Sequence, residues 1–130
     1  IQGVRIEPMA AAGVEILVGI RTEPGFRPIL TLGSGGILVE LINDVISLPV
    51  PVTPRQAQRM VEQLRSWPLL QGHRGRARAD VPALFELIVK VSDFATAQGD
   101  KLRALDLNPV IVHPSGKGIT IADVVIEPSQ

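Results

Sequence analysis

No cysteine occurs among the 130 residues. That removes disulfides, cysteine-based zinc sites and a cysteine nucleophile, and it fits a cytoplasmic protein. Neither sign of charge is in excess: 13 Lys and Arg against 13 Asp and Glu leave a formal net charge of zero. Non-specific nucleic-acid binding draws on a basic surplus, so no nucleic-acid partner is expected. Lysine is scarce, at 90, 101 and 117 alone. Arginine makes up the rest of the basic set and suits paired contacts to carboxylate or phosphate, without locating a site. No apolar run approaches the roughly 20 residues that a spanning helix needs, so no membrane partner is expected. The opening Ile1-Gln2-Gly3 carries neither a charged leader region with an apolar core nor an initiator Met, so the expectation is a segment of a longer polypeptide.

What is present describes one globular domain over 1–130. Apolar residues reach 45%, punctuated by 11 Pro and 12 Gly, and a chain of this length buries roughly two-thirds of its unfolded surface. Val14 to Ile20 is apolar and β-branched and reads as a strand. Thr22-Glu23-Pro24-Gly25 turns it, and Pro28 to Leu32 returns as the second arm of an antiparallel hairpin. Gly33-Ser34-Gly35-Gly36 interrupts, and Ile37 to Leu41 and Val45 to Leu48 read as short extended pieces.

A first helix is marked by Thr53 as N-cap, Pro54 in the first helical position and Gln56 completing a capping box. Ala57, Met60, Val61 and Leu64 form its apolar stripe, and Pro68 is expected to end it. Asp80 is expected to cap a second helix with Pro82 in its first turn and Gly99 as its stop. Its face is Val81, Leu84, Leu87, Ile88, Val91 and Ala95, with Trp67 and Phe94 expected in the core. Leu102 to Val112 and Gly118 to Ile126 are two more strands about a turn at His113 to Lys117. The order predicts an α+β, two-layer fold: a mostly antiparallel sheet with two helices on one face.

Asp106-Leu107-Asn108-Pro109 is the most informative stretch. Alternation along a strand puts Asp106 and Asn108 on one face. Folding the hairpin about Ser115-Gly116 sets Asn108 opposite Asp123. Two carboxylates and an amide oxygen would then converge, a donor set that suits Mg²⁺ with substrate phosphates completing its shell. Spacing alone leaves a second reading open, because Asn-Pro is also a common turn and a strand-end Asp often bonds local backbone.

Taken in order, the motifs resemble the ATP-grasp domain of NDP-forming acyl-CoA synthetases, the superfamily of succinyl-CoA synthetase and ADP-forming acetyl-CoA synthetase. Asp106-Leu107-Asn108-Pro109 with Ile121-Ala122-Asp123 is similar to that family's acidic-x-Asn-Pro strand and later Asp. Gly13 to Gly19 resembles its Gly-Val-Glu strand, and Leu32 to Glu40 its glycine loop and following strand, with Asp44-Val45 after it. Pro68 to Arg76 is similar to its Pro-Leu-Leu-x-Gly-x-Arg-Gly stretch, with Asp80-Val81 following. Two places depart: Pro8 stands where the family often has Glu and removes a hinge N–H donor, and Ala11-Ala12-Gly13 replaces Pro-Gly-Gly.

The resemblance implies the C-terminal lobe of an ATP-grasp domain, with ATP and Mg²⁺ as cofactors. Asn108, Asp123 and Asp106 would be the metal ligands, and Glu15, Gly35, Gly36 and Glu40 would face the nucleotide. It implies acyl-CoA formation from acid, CoA and ATP with release of ADP and phosphate, carried by an intact protein. The N-terminal ATP-grasp lobe and the CoA-binding and ligase domains would be partners. A non-catalytic synthetase-like module and an ATP-grasp ligase with another acceptor are the alternatives. A lobe standing alone exposes the face meant for its partner, which leaves a homo-oligomer open. Asp44 is read as site-facing, solvated or capping. Arg74, Arg76 and Arg78 read as a solvated loop with phosphate contact as the sharper alternative, and no catalytic triad is expected at His73 or His113.

Overall fold

The computed structural model describes residues 13–35, 43–72, 75 and 77–130. The expectations for Glu7 to Ala12, Gly36 to Leu41, His73, Arg74 and Arg76 lie outside the described residues.

Six strands form a single antiparallel sheet: β1 (Val14–Arg21), β2 (Ile29–Ser34), β3 (Val45–Pro49), β4 (Leu102–Val112), β5 (Ile119–Ile121) and β6 (Val124–Pro128). Their order is β3-β2-β1-β4-β5, with β6 continuing along the same edge of β4. Among the described residues three α-helices cross over between β3 and β4: α1 (Pro54–Gln63), a single turn α2 (Trp67–Leu70) and α3 (Val81–Gln98).

The hairpin of β1 and β2 pairs Ile20 with Leu30 and Val18 with Leu32. Alternation therefore sends Ile16, Val18 and Ile20 to one face together with Leu30 and Leu32. All five are buried, and they join Leu105, Leu107, Val110 and Val112 of β4 in one core. Ala57, Met60 and Val61 of α1 and Val81, Leu84, Ile88, Val91 and Ala95 of α3 close over it. Both long helices thus sit on one face, as the apolar stripes predict. Each such Leu or Ile withdrawn from water contributes roughly 1.5–3 kcal/mol before chain entropy is counted.

Local chemistry sets the helix ends. Thr53 Oγ1 accepts from the Gln56 N–H at 3.1 Å, and Gln56 Oε1 accepts from the Thr53 N–H at 2.9 Å. Asp80 caps α3 by accepting from the Ala83 N–H, and its other oxygen accepts from the Gly118 N–H at 2.8 Å. One carboxylate thereby ties the start of α3 to the turn that precedes β5. Gly99 ends α3 at φ +53°, where a side chain would be strained.

Four expectations need correction. β2 runs on through Gly33 and Ser34, and the last expected strand is split at Ala122 and Asp123 into β5 and β6. The first helix ends at Gln63, not at Pro68, and Pro68 instead occupies the first turn of α2, where its missing N–H costs nothing. Phe94 is exposed rather than core. The buried stripe of α3 is centred on 84, 88, 91 and 95, so position 94, seven residues after half-buried Leu87, falls on its margin. Ser92 lies inside that stripe instead, where its hydroxyl accepts from the Val52 N–H at 2.6 Å.

Candidate functional site

The face of the sheet away from the helices carries the chemistry. Along β1 it presents Glu15, Leu17, Gly19 and Arg21, the residues that alternate with the buried set. Along β4 it presents Asp106, the cross-strand partner of Gly19, and Ile111, the partner of Glu15. Between them the pairing slips: Ile16 faces Val110 while Val18 faces Leu107. Two residues of β4, Asn108 and Pro109, therefore stand against Leu17, the geometry of a β-bulge. The Asn108–Pro109 peptide bond is cis.

The register across the last hairpin is the one a turn centred on Ser115-Gly116 dictates. Val112 pairs with Ile119, Val110 with Ile121, Leu107 with Val124 and Asp106 with Val125. Asn108 donates its N–H to the Asp123 carbonyl at 3.2 Å, and Pro109 accepts from the Ala122 N–H at 3.0 Å. Asp123 stands in the break between β5 and β6, opposite the bulge, and its Oδ1 accepts from the Val124 N–H at 2.9 Å.

These strands bring Asp106, Asn108 and Asp123 into one open cleft of about 320 Å³, walled by Leu17 and Val125. Asp106 is half-buried, whereas Asn108 and Asp123 are exposed. Among the described residues no group of three or more His, Cys, Asp and Glu could by itself hold a metal ion. Two carboxylates and one amide oxygen are instead the sparse, all-oxygen set of a cation that keeps water or substrate phosphate in most of its positions. The donor chemistry fits Mg²⁺. A larger cleft of about 450 Å³ lies where the β1–β2 turn meets the start of β4, but it mixes Glu23 and Asp100 with Arg103. A cation there would compete with the guanidinium. Among the described residues the smaller cleft has two acids and no base in its lining, so electrostatics favours it.

The other expected residues distribute differently. Glu15 is exposed on the same face, but the cleft lining does not include it. Gly35 is buried and extends the β1–β2 ladder, its N–H donating to the Glu15 carbonyl at 2.9 Å. A Cβ at Gly35 would stand 2.8 Å from the Glu15 Cβ and 3.0 Å from its carbonyl oxygen, so only glycine permits that approach. Gly36 and Glu40 lie outside the described residues.

Asp44 is turned into the fold and anchors the turn between α1 and α2. It is buried, and its carboxylate accepts from the Arg65 N–H at 3.0 Å, the Ser66 N–H at 3.3 Å and the Ser34 hydroxyl. Arg78 is exposed. His113 is buried, with Nε2 2.6 Å from Thr120 Oγ1. Sequence reasoning missed the two apolar walls, Leu17 and Val125. Strand alternation was the available signal, since each sits two residues from, or directly across from, a residue already placed on that face.

Comparisons with known proteins identify the family of the chain. A family model described as an ATP-grasp domain matches residues 1–127. The chain is 36% identical over 124 residues to the beta subunit of an ADP-forming acetate–CoA ligase II of Pyrococcus furiosus, covering 95% of this chain and 52% of that subunit. It is 40% identical over 126 residues to the ADP-forming 4-hydroxybutyrate–CoA ligase of Nitrosopumilus maritimus, covering 97% of this chain and 18% of the ligase. Among solved structures, a dinucleotide forming acetyl-coenzyme A synthetase 1 from Ca. Korarchaeum cryptofilum, in complex with coenzyme A and Mg-AMPPCP, superposes with a TM-score of 0.83 at 31% identity. That match covers 92% of this chain and 55% of the other. The chain thus spans about half the length of the first of these relatives and less than a fifth of the second.

Proposed function

The chain belongs to the ATP-grasp domain family, and on that premise we propose that it is the C-terminal lobe of such a domain, holding Mg-ATP in an ADP-forming acyl-CoA synthetase. The observation that carries the reading is the cleft that gathers Asp106, Asn108 and Asp123 on the face of the sheet opposite α1 and α3. Relatives named as ADP-forming CoA ligases, and a neighbour solved with Mg-AMPPCP, support both the nucleotide and the reaction class.

Asp106 and Asp123 would supply negative charge and Asn108 a neutral oxygen. Bound there, Mg²⁺ would neutralise charge on the nucleotide phosphates during phosphoryl transfer. The chain's own part is positional. β4 is flanked by β1 and β6, so its carboxylate is held on a hydrogen-bonded sheet, while Asp123 is fixed by its bond to the Val124 N–H. Leu17 and Val125 form the apolar sides of the cleft. The second ATP-grasp lobe and the CoA-binding domains would complete the site as partners. No described helix is long and apolar enough to cross a membrane.

The test is product analysis. Assembled with the second lobe and the CoA-binding domains, the chain is expected to convert acid, CoA and ATP to acyl-CoA with stoichiometric ADP and phosphate. The 130 residues alone are expected to form none. Release of AMP and pyrophosphate, or acyl-CoA formation by the isolated chain, would overturn the reading.

A further inference from the structure

Gly19 poses a question that the fold does not answer. It lies in the middle of β1, is paired on both sides, and is away from the bulge between Ile16 and Val18. Glycine in a strand interior costs conformational entropy and packs nothing, so it calls for a close approach by some neighbour. Among the described residues no helix on the open face supplies one, yet Gly19 is buried. The approach comes from Asp106: a Cβ at Gly19 would stand 3.0 Å from Asp106 Oδ1, with the Leu105 carbonyl oxygen next at 3.4 Å. Asp106 therefore leans across the bare backbone of β1, which accounts for its being half-buried on an otherwise open face.

We infer that Gly19 is a positioning residue that sets the direction of the Asp106 carboxylate in the cleft, and so the affinity of the cleft for a divalent cation. This rests on the function proposed above. Directly paired residues on antiparallel strands hold their Cβ atoms about 4.5–5.5 Å apart. A methyl group at 19 would occupy the space the carboxylate uses and turn it away from β1. The displaced group is the free end of a side chain, so the ladder on either side of Gly19 can persist.

The experiment uses the 130-residue chain with Mn²⁺ as the probe, followed by paramagnetic broadening of backbone resonances, and records the Asp106 carboxyl ¹³C shift without metal. Gly19→Ala is expected to move that shift in the metal-free chain. It is also expected to weaken Mn²⁺ binding about tenfold, the lower end of what losing a ligand-orienting neighbour costs. In an Asp106→Ala background the same substitution is expected to change binding no further, an outcome that general distortion of β1 would not produce. Equal Mn²⁺ affinity in Gly19→Ala and the parent, or an equal loss in both backgrounds, would overturn the inference. Should Gly19→Ala alone fold poorly, recovery of the fold in the double variant identifies Asp106 as the contact, and no recovery refutes it. If the parent chain binds no Mn²⁺ in the cleft, the proposed function fails instead, while the metal-free carboxyl shift still decides the contact between Gly19 and Asp106.

Discussion

Asp123→Ala is expected to weaken divalent-cation binding roughly a hundredfold and leave folding almost untouched. The two effects separate because Asp123 is exposed and its side chain makes one local bond, to the Val124 N–H. Its share of the fold is one surface hydrogen bond, worth about 1 kcal/mol at most. Its share of the cleft is one of the two carboxylates among the described lining residues, and affinity for hard cations follows the number of charged oxygen ligands. Asp123→Asn makes the argument sharper. The amide oxygen can still accept from Val124, so the chain should melt where the parent does, yet the charge is gone and binding should fall nearly as far as in the alanine variant. Parallel Mn²⁺ titrations and denaturant curves on the three chains check this. Loss of stability that tracks loss of binding would mean that Asp123 belongs to the fold and not to the site.

Asp44→Ala is expected to do the reverse, costing about 3 kcal/mol of stability without a direct effect on the cleft. Its carboxylate gathers donors from three places: the hydroxyl of Ser34 at the end of β2 and the N–H groups of Arg65 and Ser66 ahead of α2. Ser34 Oγ also shares a hydrogen bond with Ser66 Oγ at 2.7 Å, and both serines are buried. Removing the carboxylate leaves the buried Ser66 N–H and the part-buried Arg65 N–H short of an acceptor, at about 1–3 kcal/mol for a fully buried group and less for a partly buried one. Against a total stability on the order of 5–15 kcal/mol this is a large fraction. For a domain of this size it should lower the melting temperature by about 10 °C. Asp44→Asn keeps one acceptor oxygen and should cost less. Equal melting of parent and alanine variant would contradict the anchoring role.

The contrast between these two aspartates marks where sequence reasoning reaches and where it stops. Asp123 was legible because its place depends on a hairpin. Once a turn at Ser115-Gly116 is recognised, pairing follows by counting, and the observed pairs of Val110 with Ile121 and Asp106 with Val125 obey that count. The helix caps at Thr53 and Asp80 were legible for a similar reason, since each acts within three residues of its own position. Asp44 was not, because its partners lie 10, 21 and 22 residues away and meet only when β2 and α2 are packed together. Gly19 shows a finer limit. Its strand and pairing could be anticipated, but not that the opposing carboxylate leans over it. Phe94 was misplaced because a helical stripe has a margin, and periodicity does not say which side of the margin a large side chain takes.

The central claim is that a divalent cation is held where β4 faces the break between β5 and β6. Paramagnetic broadening mapped over the whole chain during a Mn²⁺ titration tests it most directly. The expected result is loss of signal centred on Leu17, Asp106, Asn108, Asp123 and Val125, reversed by excess Mg²⁺. Broadening centred instead on Glu23 and Asp100, or spread evenly over the acidic surface, would contradict it.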